Sequence, residues 1–213
     1  MAKNYHSTTG VEEFYYGVLS EEDETKIVKA QPELIDYLQE ITVTREQTLE
    51  RAYGSNKVAE IAISNGPVEV SSTFHKLPKE DLVTLLGLSE AGSLYGLSNQ
   101  DNPPYVAVVF AKTREDGSKE WVGLPKGKFT TPEQSATTKT DSVEFGSDEI
   151  AAEFMDRRVN VFDKDMSVVF AETKSNDDEA VEEFFQAVFG TSYPKNSTED
   201  SEEEPIEEPI EEI

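Results

Sequence analysis

The sequence predicts a mainly β fold with two packing helices, and three observations carry that expectation. Short runs rich in β-branched and aromatic residues recur along the chain, several of them bounded by Gly, Asn or Asp turn signals. Two segments repeat apolar residues at the i, i+3, i+4 spacing of a helix that packs on a surface. The length, 213 residues with 36% apolar content, suffices to bury a sizeable core.

Residues 1–10 are polar and read as an N-terminal arm, followed by a first strand over Phe14-Tyr15-Tyr16-Gly17-Val18-Leu19. The acidic run Ser20-Glu21-Glu22-Asp23-Glu24 ends it. Ile41-Thr42-Val43-Thr44 is a second strand, and the charged stretch from Arg45 to Lys57 reads as a long excursion turning at Tyr53-Gly54-Ser55-Asn56. Val58–Ser64 and Val68–Phe74 flank Asn65-Gly66-Pro67 and predict an antiparallel hairpin, because Val68, Val70 and Phe74 alternate with polar residues. Pro78 then opens a helix in which Leu82, Leu85 and Leu86 form one stripe and Gly87 provides the left-handed stop.

A connection rich in Gly, Ser, Asn and Pro occupies residues 89–104. Tyr105–Ala111 after it has the strongest strand character in the chain, with both faces expected to be covered. Asp116-Gly117 turns it back into Trp121-Val122-Gly123-Leu124, which continues through a bulge near Pro125 to Phe129. Val143-Glu144-Phe145 reads as extended. Asp148 to Arg157 is ambiguous: Ile150, Ala151, Phe154 and Met155 have helical spacing, whereas the setting between strands favours extension, and the pattern taken alone gives a helix. Val159–Phe162 and Met166–Phe170 are further strands. Val181, Phe184, Phe185, Val188 and Phe189 mark a closing helix, stopped by Gly190 and Pro194. This body covers residues 11–194. Residues 195–213, where Pro-Ile-Glu-Glu repeats, form an acidic tract too poor in apolar area to offset its ordering entropy and read as a disordered tail.

The net charge of −25 argues against tight nucleic-acid binding, which draws on Lys and Arg at phosphates. Nine of the acidic residues fall in residues 196–213, which leaves −16 on the remainder, so the body is acidic in its own right. With no cysteine and two histidines, His6 and His75, the chain offers no material for thiolate chemistry, a His-based metal cluster or a nucleophilic triad. Glu21–Glu24 lacks the spaced oxygens and turn glycine of a calcium loop and reads as a solvated turn. Gly123-Leu124-Pro125-Lys126-Gly127-Lys128 lacks the hydroxyl and the strand-to-helix setting of a phosphate loop. No catalytic residue, cofactor or metal is therefore assigned. No signal peptide and no membrane span is read, and a cytoplasmic site of synthesis and assembly is expected.

The order of several pieces resembles the major tail proteins of siphophages over roughly residues 10–190: Gly10–Tyr16, Ala59-Glu60, Phe74–Glu80 leading to Leu85-Leu86-Gly87, Pro104–Val108 and Leu124–Phe129. The resemblance implies a β-sandwich or open barrel flanked by one or two helices, forming hexameric rings that stack into a tail tube in the virion. It implies partners too: further copies of itself, a tape measure protein, tail-tip and tail terminator proteins, and double-stranded DNA passing through the lumen unbound. It makes Asp148–Arg157 extended, against the pattern.

Within such a tube the Arg45–Lys57 excursion matches a loop that reaches the next ring, which makes Arg45, Arg51 and Tyr53 candidates for inter-ring contacts. Arg157, Arg158 and Lys164 form a basic cluster suited to carboxylates of a neighbouring subunit. Carboxylates along the lumen would repel DNA phosphates, and the acidic tail fits a fringe outside the tube. A soluble β-sandwich module binding protein or glycan is the rival expectation. An enzyme would have to run on carboxylates alone, with no convincing pair.

Overall fold

The computed structural model describes residues 5–132, 146–174 and 178–194. Its elements run β1 (Thr8–Val18), β2 (Glu33–Ile35), β3 (Leu38–Gly54), β4 (Lys57–Phe74), α1 (Lys79–Leu86), β5 (Ser89–Ala91), β6 (Leu94–Gly96) and β7 (Val106–Arg114). They continue with β8 (Lys119–Phe129), β9 (Asp148–Met155), β10 (Arg157–Val159), β11 (Lys164–Met166), β12 (Val169–Thr173) and α2 (Asp178–Phe189). The fold is mainly β.

One large antiparallel sheet has the order β2-β1-β7-β8-β9-β4-β3, with β12 added to β8, while β5–β6 and β10–β11 form two small separate hairpins. β1 comes close to β3 although four strands lie between them in that order, so the sheet curls into an open barrel. Alternation along β7 shows how the two cores are divided. Val106, Val108 and Phe110 point into the barrel with Phe14, Val70, Phe154 and the α1 residues Leu85 and Leu86. Ala107, Val109 and Ala111 point outward and are covered by Phe184, Phe185, Val188 and Phe189 of α2, with Tyr15 and Trp121. A strand buried on both faces reads as a continuous apolar run, which is why this segment stood out in the sequence.

Several expectations are corrected. The helical pattern over Asp148–Arg157 is overturned: β9 pairs with both β4 and β8, as the family resemblance implied. Ile150, Ala152 and Phe154 point inward while Ala151 and Met155 point out, so a period of two governs the segment. Asn65-Gly66-Pro67 is not a turn, because β4 runs through it. Pairing passes from Arg45↔Val68 to Gln47↔Asn65, so β4 carries one extra residue in a bulge, where a proline without an N–H fits. Only Val159 of Val159–Phe162 is strand; the chain turns after it, with Asp163 at φ 51°, and Lys164 and Asp165 lie in β11.

Other expectations hold with adjusted bounds. β1 starts at Thr8, and Pro78 precedes the first turn of α1 rather than lying in it. Gly87 takes φ 61° and returns its N–H to Val83, closing that helix. The bulge near Pro125 is present as a register shift between β7 and β8. Residues 89–104 include the β5–β6 hairpin, while Val143–Phe145 and the tail expected over residues 195–213 lie outside the described residues.

Candidate functional site

The Arg45–Lys57 excursion is strand rather than loop. Beyond Val68, the last β4 residue paired with β9, β3 and β4 pair only with each other, forming a two-stranded ribbon that projects from the barrel. Ser55 and Asn56, at φ 50° and 63°, close it in a turn whose twist suits a hairpin. Leu49 stands opposite Ile63, Arg51 opposite Ile61 and Tyr53 opposite Val58, and directly opposed residues share a face. The other face carries Thr48 with Ser64, Glu50 with Ala62 and Ala52 with Glu60. The ribbon is thus two-sided, and its apolar side is bare: Leu49, Tyr53 and Ile63 are 60%, 69% and 62% exposed. An isolated hairpin of this kind is marginal in water and gains from a partner surface.

The three residues singled out from sequence for this segment lie together on that apolar side. β3 keeps its alternation through the bulge, so Arg45, Arg51 and Tyr53 continue the row that begins with the inward-facing Ile41 and Val43. Sequence reasoning missed Leu49, Val58, Ile61 and Ile63, although Leu49-x-Arg51-x-Tyr53 and Ile61-x-Ile63 carry the period of two.

The basic cluster is split. Arg157 is 4% exposed and donates to the carbonyls of Glu24 at 2.9 Å and of Ala187 and Val188 at 3.3 and 2.8 Å. The last two lie in the final turn of α2, where carbonyls have no helical partner. Burial draws the guanidinium down to about 10, opposed by Glu24 and Asp23, and it stays charged at neutral pH. Its charge is thus used inside the subunit. Arg158 is exposed and pairs with Asp163 of its own chain, and Lys164 is exposed on β11.

A second surface appears on the outward side of β3, β4 and β9. Glu40, Thr42 and Thr44, then Glu69, Ser71 and Thr73, then Glu149, Ala151 and Glu153 follow one another across it. Ser71 donates to Glu149 at 2.7 Å. Where the same side of the sheet continues into β1, β7 and β8 it is covered by α2, whereas here it is small, polar and carboxylate-rich. Lys126 and Lys128, on the adjoining end of β8, turn instead to Tyr105, with Glu24 and Asn102 as their partners.

No arrangement for catalysis is found among the described residues, and no group of three or more His, Asp or Glu side chains there is placed to hold a metal. His75 meets the Tyr37 ring edge-on, and His6 lies 3.9 Å from Asp116. Asp23 accepts from both the N–H and the hydroxyl of Thr25, and Glu24 is held by Arg157 and Lys126, so the Glu21–Glu24 run is a turn tied into the fold.

The model of a known family, described as phage tail tube protein, matches residues 40–196. The chain belongs to that family. This phage tail tube protein is accordingly a structural component of the virion and not an enzyme. No curated protein matches it. The match begins at Glu40 in β3 and takes in the projecting hairpin, the carboxylate face and α2, so both surfaces described above belong to the family region. Among the described residues of the tail tube protein, no helix is long and apolar enough to cross a membrane.

Proposed function

We propose that this protein assembles as hexameric rings stacked into a long, non-contractile tube through which viral DNA leaves the particle. The observation that carries the reading is the projecting hairpin, whose apolar side is bare in the single subunit and needs another molecule to cover it. Arg45, Arg51 and Tyr53 then make inter-ring contacts. Along its body the outer edge of β3 ends the sheet, an invitation to pairing with the next copy, so strands of successive subunits would continue into a common inner wall.

In that arrangement the face bearing Glu40, Glu69, Glu149 and Glu153 borders the bore, and its carboxylates repel phosphates so that DNA passes without being held. α2 then lies on the outer wall. Tyr193 is fastened there, its hydroxyl donating to Glu13 at 2.9 Å and its N–H to Glu182 at 2.9 Å, which supports the reading of the acidic tail as a fringe outside the tube. Arg158 and Lys164 meet carboxylates of a neighbour in the ring. A tape measure protein, a tail-tip complex and a terminator are the further partners, with assembly in the host cytoplasm. The tube needs no cofactor.

Electron microscopy of the purified protein, concentrated alone and then mixed with tail-tip components, tests this reading. Sixfold rings or hollow tubes are expected. Monomers that persist under both conditions would return the chain to the rival reading, a soluble binding module.

A further inference from the structure

We propose that the cleft beside Leu19 and Tyr105 is the socket that receives the projecting hairpin of a second copy of this chain. The inference rests on the tube reading and names the surface to which the hairpin docks. The cleft has a volume of about 550 Å³, with Val18, Leu19, Val28 and Tyr105 among its walls and Glu21 and Glu24 on its rim. Val28 is 67% exposed, an aliphatic side chain left open beside a concave surface. The floor is held in place before any partner arrives: Lys126 and Lys128 stand 4.4 and 4.5 Å from the Tyr105 ring centre, and Lys126 is itself held by Glu24 at 2.7 Å.

Chemistry and position both match the hairpin. Tyr53 and Val58 near its tip supply apolar area, and Arg51, central on the same side, supplies a cation for the Glu21 rim. The register places the two surfaces at opposite ends of the strand ladder. Across the row Val68↔Phe154, Phe154↔Gly127, Gly127↔Val106 and Val106↔Val18, the hairpin tip lies on the side towards which β1 runs back to Thr8. Leu19 and Tyr105 lie just past the row on the other side. A plug at one end and a socket at the other form a heterologous contact, which propagates from copy to copy instead of closing into a two-fold dimer. The exposed Leu94, Tyr95 and Leu97 are the competing apolar surface, but the carboxylate beside them, Glu90, is already paired with Lys79, whereas at the socket Lys126 engages Glu24 and leaves Glu21 for Arg51.

Because the chain contains no cysteine, a pair introduced by Tyr53→Cys and Val28→Cys reports a single contact. Tubes of the full-length double variant, oxidised and separated without reductant, are expected to give a ladder of covalent multimers, and each single variant none. Tubes that form without a ladder, or that give one only when Leu94→Cys replaces Val28→Cys, overturn the socket and leave the tube reading standing. Wild-type protein that never forms tubes overturns both. Should cysteine substitution itself block assembly, exchange of charge decides: Arg51→Glu is expected to cut tube yield ~10-fold, and adding Glu21→Arg to restore most of it. Failure of that rescue overturns the contact.

Discussion

Glu69 and Glu153 stand directly opposite one another across the β4–β9 ladder, on the part of the sheet's outward side that α2 leaves uncovered. Like charges so opposed weaken a strand pair. Glu69→Lys turns the repulsion into an attraction and is expected to stabilise the subunit by ~0.2–1 kcal/mol. The readout is the urea midpoint, which should rise with an unchanged slope. If these carboxylates border the bore, the same variant should form tubes yet slow the passage of DNA.

Asp148 ties the start of β9 to the approach to α1, accepting from Lys76 at 2.8 Å and from the Leu77 N–H at 2.9 Å. Partial burial pushes its carboxyl up, but the two donors outweigh that and leave it below the ordinary carboxylate value. A depressed folded-state pKa contributes stability that is complete above the unfolded value and disappears as pH falls through the folded one. Asp148→Asn should therefore cost about 1 kcal/mol at neutral pH, a modest figure because the pair is largely exposed. Denaturation at a series of pH values below 4 should show the variant and the parent converging; a gap of constant size would contradict the assignment.

Gly127 has no room for a side chain. A Cβ there would lie 2.4 Å from the Phe154 ring and 2.7 Å from the Glu153 carbonyl, and the carbonyl belongs to a paired strand that cannot step aside. Gly127→Ala is expected to destabilise by about 1–3 kcal/mol, visible as a lowered calorimetric midpoint. Gly96→Ala serves as its control, with nothing within 4 Å of the added carbon and an expected change within ~0.5 kcal/mol.

Ile61→Asp separates folding from assembly. The side chain is 56% exposed and packs on no core, so the melting of the isolated subunit should move by no more than ~0.5 kcal/mol. Sedimentation and negative-stain imaging should nevertheless show tube formation lost. A variant that still assembles at wild-type yield would remove the hairpin's apolar side from the interface.

The sequence was most informative where one physical signal dominated. The α2 stripe Val181, Phe184, Phe185, Val188 and Phe189 is buried as its spacing requires, and the doubly covered β7 announced itself as an unbroken apolar run. It misled where two periods fit the same letters: Ile150, Ala151, Phe154 and Met155 satisfy a helix, and only pairing with β4 and β8 decides for a strand. Gly66-Pro67 carries the composition of a turn, yet the long register on either side of it makes it a bulge. Arg157 was legible as a charge but not as a cap on α2, because its partners Ala187 and Val188 offer backbone carbonyls that no residue pattern advertises. The carboxylate face is legible only once the fold sets Glu69 beside Glu153, which is far from it in the sequence.

The bare hairpin also bears on how copies of the chain meet. An adhesive strip on every molecule is a hazard in a crowded cell, since exposed apolar ribbons recruit one another indiscriminately. Against it stands a formal charge of −25 per chain, which repels over distances set by the ionic atmosphere. Attraction acts only at contact and repulsion acts before it, so collisions between free copies are discouraged while a correctly oriented growing end, presenting many sockets at once, can overcome the barrier. Shortening the screening length from about 10 Å at 0.1 M salt to about 3 Å at 1 M lowers that barrier, which makes ionic strength a control over when polymerisation starts.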